Sequence, residues 1–224
     1  SKLSKRHGAT SVTAYRDEGY LREALFNFLA LLGWSPSDGQ EILSPEELVQ
    51  RFSLTDLSKS NAVFDLTKLR WINGQYIRKL DDDALYEQLQ RFIDPEKKAG
   101  LSGYSKEQQK MILMSVRDNL EVLSDINGYL GVYITSFDQY KEQVSAFEFS
   151  DQDQQVIQRL SVFLETLGAD FYGDDLDRFF EQVKSELGLG KGKVFKPLRI
   201  STTAMESGPD LKDRKSTRLN SSHL

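Results

Sequence analysis

Cysteine is absent from the 224 residues. Its absence excludes disulfides and thiolate metal sites, and fits a reducing cytoplasm. Histidine occurs only twice, as His7 and His223, which argues against a zinc site or a His-based triad. No run of about 18 apolar residues is present, so no membrane span is expected. No charged-then-apolar signal opens the chain, which begins as if cut from a longer one. Alternating, strand-like pattern is scarce. The best candidate strand is "SVTAY" (Ser11 to Tyr15), and it is short.

What is present is an ordinary globular mixture, 39% hydrophobic and 28% charged, with a net charge of -5. The charge is unevenly spread. Residues 1–78 hold 10 Lys and Arg against 9 Asp and Glu, residues 79–187 hold 11 against 22, and residues 188–224 hold 8 against 3. A polyanion would meet local cationic patches, not a uniformly basic body.

Most of the chain reads as helix. In "YLREALFNFLALLGW", Leu21, Leu25, Phe28, Leu29 and Leu32 form one stripe, with Gly33 as the stop. "SPEELVQRF" opens with Ser44 as cap, Pro45 in the first turn and Glu47 three residues on. Asp65 caps a helix carrying Leu69, Ile72 and Tyr76. Another helix runs near Ala84 to Ile93. Ser105 caps the longest expected helix, whose inward side is Met111, Val116, Leu120 and Leu123. Val156, Leu160, Phe163, Leu164 and Leu167 mark a further helix, and Leu176, Phe179, Phe180, Val183 and Leu187 the next, ending at Gly188. "GLGKGKVFKP" (Gly188 to Pro197) reads as a Gly- and Lys-rich loop. The expected domain seam is "RKLDDD" (Arg78 to Asp83), where the charge balance changes sign. The acidic runs "DDD" (Asp81 to Asp83) and "YGDDLD" (Tyr172 to Asp177) read first as helix starts and solvated turns, with Mg²⁺ at the former as the minor alternative.

The tail Asp213 to Leu224, "DRKSTRLNSSHL", is polar and patternless. It is similar to the read-through translation of a sequencing adapter, and is set aside from fold reasoning.

The opening "SKLSKRHG" puts Lys2, Lys5 and Arg6 beside Ser4 and Gly8. Such a loop can wrap a phosphate chain: lysines supply mobile charge, serine a hydroxyl, and glycine close backbone approach. "KLSKRHG" resembles the Lys-Met-Ser-Lys-Ser signature of class I aminoacyl-tRNA synthetases, in the form typical of glutamyl-tRNA synthetases. "SVTAYRDEGYLREALFNFLALLGWSP" and "FSLTDLSKSNAVFDLTKLRWINGQYIR" resemble the segments that follow it in that family. "KVFKPLRI" is similar to the family's closing element. The matches span about residues 2–200 in order. "STTAMESGPDLK" then departs from the family pattern.

The resemblance implies a mainly α fold. A signature loop and helical stem-contact subdomain would occupy residues 1–78, and an α-helical, cage-like anticodon-binding domain residues 79–212. The family's Rossmann catalytic domain, with its His-x-Gly-His motif, would lie before Ser1. The implied reaction is ATP-dependent attachment of glutamate to tRNA through a glutamyl-adenylate, with Mg²⁺ accompanying ATP. Lys5 would stabilise charge growing on the leaving pyrophosphate, with Lys2 and Ser4 shaping the loop and Leu3 against the adenine. No structural metal is expected in this segment. The expected partners are tRNA, ATP and glutamate, without a membrane, for a monomeric cytoplasmic protein that does not catalyse as this segment alone.

For tRNA, the candidate phosphate contacts are Arg16, Lys68, Arg70 and Arg78. Trp71 and Tyr76 fit either base stacking or a core position. Asn73 fits a structural or tRNA-docking role. Lys191, Lys193, Lys196 and Arg199 form the cationic patch expected at the anticodon, where Arg199 fits either a base edge or a salt bridge. The alternatives are a non-discriminating enzyme that also charges glutamine tRNA, and a stand-alone RNA-binding helical module.

Overall fold

The structure is a computed structural model, and it describes residues 11–57, 63–167, 173–204 and 206. In chain order its helices are α1 (Val12–Glu18), α2 (Arg22–Leu31), α3 (Pro45–Arg51), α4 (Leu66–Lys79), α5 (Asp82–Leu89), α6 (Pro95–Leu101), α7 (Lys106–Met114), α8 (Ile126–Tyr129), α9 (Gly131–Ile134), α10 (Phe137–Ser145), α11 (Asp151–Leu167), α12 (Gly173–Leu187) and α13 (Lys191–Thr203). Short 3₁₀ turns lie at Leu54–Asp56, Arg117–Asn119 and Leu123–Asp125. No strand is formed among the described residues, and an isolated antiparallel bridge joins Trp34 to Leu57. The expected mainly α fold is observed.

Local chemistry starts many of these helices. Ser44 and Glu47 form a reciprocal capping box on α3, and Ser105 and Gln108 form another on α7. Asp65 accepts from Lys68 N–H at the start of α4, and Asp81 from Ala84 N–H at the start of α5. Each cap satisfies a backbone donor that the first helical turn leaves without a carbonyl.

The polypeptide forms two compact units. The first comprises residues 1–94 and 116–128, and the second residues 95–115 and 129–224. In the first unit α2 packs on α4 and α3. Ala24, Leu25 and Phe28 of α2 and Leu69, Ile72 and Ile77 of α4 are buried there. Trp34, Leu43 and Leu48 make a smaller apolar cluster beside Ala30 and Leu31. In the second unit α11, α12 and α13 pack mutually. Their core is Val156, Leu160, Leu176, Phe179, Phe180, Val183, Leu189, Val194 and Leu198.

Four sequence expectations are corrected. Ser11 to Tyr15 is not a strand. The Ser11 hydroxyl accepts from Ala14 N–H and starts α1, which Gly19 ends in the left-handed region at φ 94°. The helix expected to be longest stops at Met114; Val116 and Leu120 are buried on either side of the 3₁₀ turn Arg117–Asn119 and Leu123 at the start of the next, while Met111 stays exposed. The longest described helix is instead α11, at 17 residues. The Gly- and Lys-rich loop is largely helix, because α13 begins at Lys191 and runs through Pro197. Burial of Val194 and Leu198 against α11 and α12 outweighs the low helix propensity of glycine and proline. Leu29, placed on the inward stripe of α2, is exposed.

Candidate functional site

Lys2, Leu3, Ser4 and Lys5 lie outside the described residues. The described chain begins at Ser11, which caps α1. Two backbone-mediated links tie the end of α1 down. Leu123 N–H donates to the Gly19 carbonyl at 3.1 Å, and the Ser124 hydroxyl donates to the Glu18 carbonyl at 2.7 Å.

Helix α4 sorts the sequence candidates by face. Leu69, Ile72, Asn73 and Ile77 occupy its buried stripe. Asn73 is fully buried and both ends of its amide are used: the oxygen accepts from Leu21 N–H at 2.8 Å, and the nitrogen donates to the Glu121 carbonyl at 2.6 Å. Arg70 lies half-buried beside it. Its Nε donates to Glu121 at 2.6 Å and a terminal nitrogen donates to Asp125 at 3.1 Å. Burial acts first on this guanidinium and lowers its pKa. The hydrogen bond to Glu121 and the charge of Asp125 outweigh burial and hold the pKa above its ordinary value. Arg78 donates to the Asp118 carbonyl at 3.0 Å. Three side chains of α4 thus hold the segment 118–125.

Tyr76 is also directed inward. Its hydroxyl donates to the Leu43 carbonyl and lies 2.9 Å from Asn27 Oδ1. Burial, then the charges of Glu23 and Glu47, push this phenol up to about 12. Asn27 completes the knot. Its oxygen accepts from Leu43 N–H at 2.7 Å and its nitrogen donates to the Glu41 carbonyl at 2.9 Å. Sequence reasoning passed over Asn27, whose signal is a lone amide inside the apolar run Leu25–Phe26–Asn27–Phe28.

The outward face of α4 carries Trp71, which is 41% exposed. With the Gln75 amide oriented to suit its donors, its oxygen accepts from the Trp71 indole at 3.2 Å and from Arg78 at 3.0 Å. Arg16 is exposed on α1 and pairs with Asp17 at 2.9 Å, and Lys68 pairs with Glu41. Arg70 and Asn73 therefore meet at Glu121, whereas Arg16 and Trp71 present outward surfaces.

In the second unit, Lys191, Lys193 and Lys196 lie within the first two turns of α13 and are exposed. Gly190 supplies no side-chain cap, and no acidic residue occupies the first turn. The Lys191 ammonium sits 5.8 Å from the centre of the Phe180 ring, and Lys196 pairs with Glu206 at 3.1 Å. Arg199 is half-buried on the same helix. Lysines at a helix start oppose the macrodipole, so they add positive potential where the backbone already supplies it.

The acidic runs have local roles. Asp81 caps α5 and Asp82 pairs with Arg117. Asp175 of α12 is buried and pairs with Arg178. Among the described residues no group of three or more His, Cys, Asp or Glu side chains is placed to hold a metal. No described helix is long and apolar enough to cross a membrane.

Comparison with known proteins bears on both units. The family "Anticodon binding domain" matches residues 84–214, and "tRNA synthetases class I (E and Q), catalytic domain" matches residues 1–71. The chain belongs to the anticodon-binding-domain family. Its curated relatives include glutamate–tRNA ligases. That of Aquifex aeolicus is 41% identical over 93% of this chain and 44% of its own length. That of Carboxydothermus hydrogenoformans is 35% identical over 94% of this chain and 44% of its own length. The crystal structure of a glutamate tRNA ligase from Elizabethkingia meningosepticum, in complex with its amino acid, superposes with a TM-score of 0.63 at 30% identity. That match covers 95% of this chain and 45% of the other. The chain thus spans less than half the length of these relatives of the family.

Proposed function

We propose that the chain is the tRNA-binding part of an ATP-dependent glutamate–tRNA ligase. The order of the two family matches along one chain carries this reading, with the catalytic-domain match ahead of the anticodon-domain match. The names of the relatives supply the amino acid, glutamate.

The reaction is activation of the glutamate carboxylate by ATP, with Mg²⁺ accompanying the nucleotide, followed by transfer to the tRNA 3′ end. Lys5 places an ammonium group beside the leaving pyrophosphate, where it stabilises the transition state more than the ground state. Lys2, Ser4 and Leu3 shape the same loop around the nucleotide. Exposed Arg16 and Trp71 suit contact with tRNA in the first unit. Asn73 and Arg70 act there as positioning residues, since their polar atoms bind the 121–125 segment. In the second unit, Lys191, Lys193 and Lys196, with Arg199 behind them, offer an electropositive helix start to RNA phosphates and anticodon bases. The protein works as a cytoplasmic monomer.

Filter binding of the 224-residue chain to transcripts of glutamate, glutamine and an unrelated tRNA tests the reading. Preference for glutamate tRNA supports it, and equal retention of glutamine tRNA would mark a non-discriminating enzyme. Indifference among all three transcripts would reject it.

A further inference from the structure

Asn-Gly is the dipeptide at which an asparagine most readily loses its side-chain nitrogen, because glycine sets no side chain between its own N–H and the carboxamide carbon. It occurs twice in the sequence, as Asn73–Gly74 and Asn127–Gly128. Ring closure also needs the asparagine ψ to leave the helical value, so the helix must open locally at that point.

The two sites differ in each respect. Asn73 is fully buried near the middle of the 14-residue α4. A Cβ at Gly74 would lie 3.1 Å from the Leu120 carbonyl oxygen and 3.2 Å from the Arg78 guanidinium, so Gly74 is packed against its neighbours. Asn127 lies in α8, a single turn of four residues. A helix that short contributes little to its own stability. Gly128 is exposed, and nothing lies within 4 Å of its Cβ position.

The Asn127 carboxamide is also polarised. Its oxygen accepts the Asp94 N–H at 2.9 Å, and its nitrogen donates to the Phe92 carbonyl at 2.7 Å and the Ser124 carbonyl at 3.4 Å. The Asp94 N–H draws electron density from the carboxamide carbon, and stabilises negative charge developing on the oxygen under attack. The same contacts give the side chain a structural place. The polypeptide leaves the first unit after Asp94 and again after Gly128. One side chain therefore joins the two departure points.

We propose that Asn127–Gly128 is a deamidation site, and that its conversion unfastens the two departure points from each other. The Gly128 nitrogen, losing its proton to hydroxide, bonds to the Asn127 carboxamide carbon. The side-chain carbon–nitrogen bond breaks, and the leaving nitrogen takes a proton from water and departs as ammonia, which restores the hydroxide. Water then opens the cyclic imide at either carbonyl, giving aspartate or isoaspartate. Nothing is oxidised or reduced. Aspartate keeps the Asp94 contact but turns an oxygen toward the Phe92 and Ser124 carbonyls, which had received a donor. Isoaspartate also places the side-chain methylene in the main chain.

The test ages the 224-residue chain in neutral and mildly alkaline buffer, digests it and follows the peptides by mass spectrometry. Acid should replace amide at Asn127, with a rate rising about tenfold per pH unit as the glycine N–H is deprotonated, and Asn73 should stay intact. Gly128 has no positive φ, so Gly128→Ala should keep the helical circular dichroism of the parent while slowing conversion severalfold. Asn127→Asp, the product made directly, should lower the urea midpoint. No conversion at Asn127, conversion of Asn73 at the same rate, or a rate unchanged by Gly128→Ala would overturn the assignment. An Asn127→Asp protein as stable as the parent would overturn the unfastening.

Discussion

The Asn73 side-chain oxygen accepts the backbone N–H of Leu21 at 2.8 Å across 52 positions of sequence, in full burial. The same amide donates to the Glu121 carbonyl. One residue therefore ties the start of α2 to the segment behind α5. Asn73→Ala leaves a buried N–H and a carbonyl without partners. It should lower unfolding stability by about 2–4 kcal/mol, measured by urea titration of the chain. A loss below the error of the titration would show that water or backbone movement replaces the amide.

Gly19 supplies the second tie. Its φ of 94° disfavours any side chain, and an added Cβ would lie 2.7 Å from Leu123 N and 2.8 Å from Leu123 Cβ. Gly19→Ala should cost about 1–3 kcal/mol. It should also speed hydrogen exchange at Leu123, whose N–H now donates to the Gly19 carbonyl. Exchange at Leu123 unchanged from the parent would count against this tie.

The start of α13 predicts a salt effect. Replacing Lys191, Lys193 and Lys196 together by alanine should weaken tRNA binding and reduce its log–log salt slope by about 2–3, roughly one per lost phosphate contact. Helix stability should hold or rise, because cations are removed from a positive helix end. An unaltered slope would mean that RNA does not reach this end of the helix.

Tyr76 gives a pH window. In the folded unit its phenol keeps its proton up to about 12, whereas in the unfolded chain it releases it near 10. Between those values the unfolded state binds fewer protons, so the contribution of Tyr76 is complete below about 10 and is lost as pH rises through the window. Tyr76→Phe should lower stability at neutral pH by about 1 kcal/mol through its lost hydrogen bonds. It should also flatten the alkaline decline relative to the parent. Parallel stability curves for the two proteins over that range would contradict the assignment.

Features encoded within a few residues were legible in the sequence. Ser44 with Glu47, Asp65 before α4 and Ser105 with Gln108 are each complete inside one helical turn. What escaped depends on distant partners. Nothing local announces that the helix after Ser105 must break so that Val116 to Leu123 can reach the first unit, or that Pro197 will be carried inside a helix by the Phe179 and Val183 cluster. The candidate residues of α4 show both cases. The spacing of Asn73 from Leu69 and Ile77 puts it on the apolar stripe, so its burial was implicit. The Arg70 anchors are 51 and 55 positions away, beyond the reach of any periodicity.

The polypeptide leaves its first unit after Asp94, returns for residues 116–128, and departs again. No single cut can therefore part the units cleanly. A protein severed after Asp94 would cost Asn73 its Glu121 acceptor, Arg70 both carboxylates and Gly19 its Leu123 donor at a stroke, while a piece starting at Pro95 would carry those orphaned counterparts along. A first unit intended to be independent would have to end after Gly128, with residues 95–115 replaced by a linker.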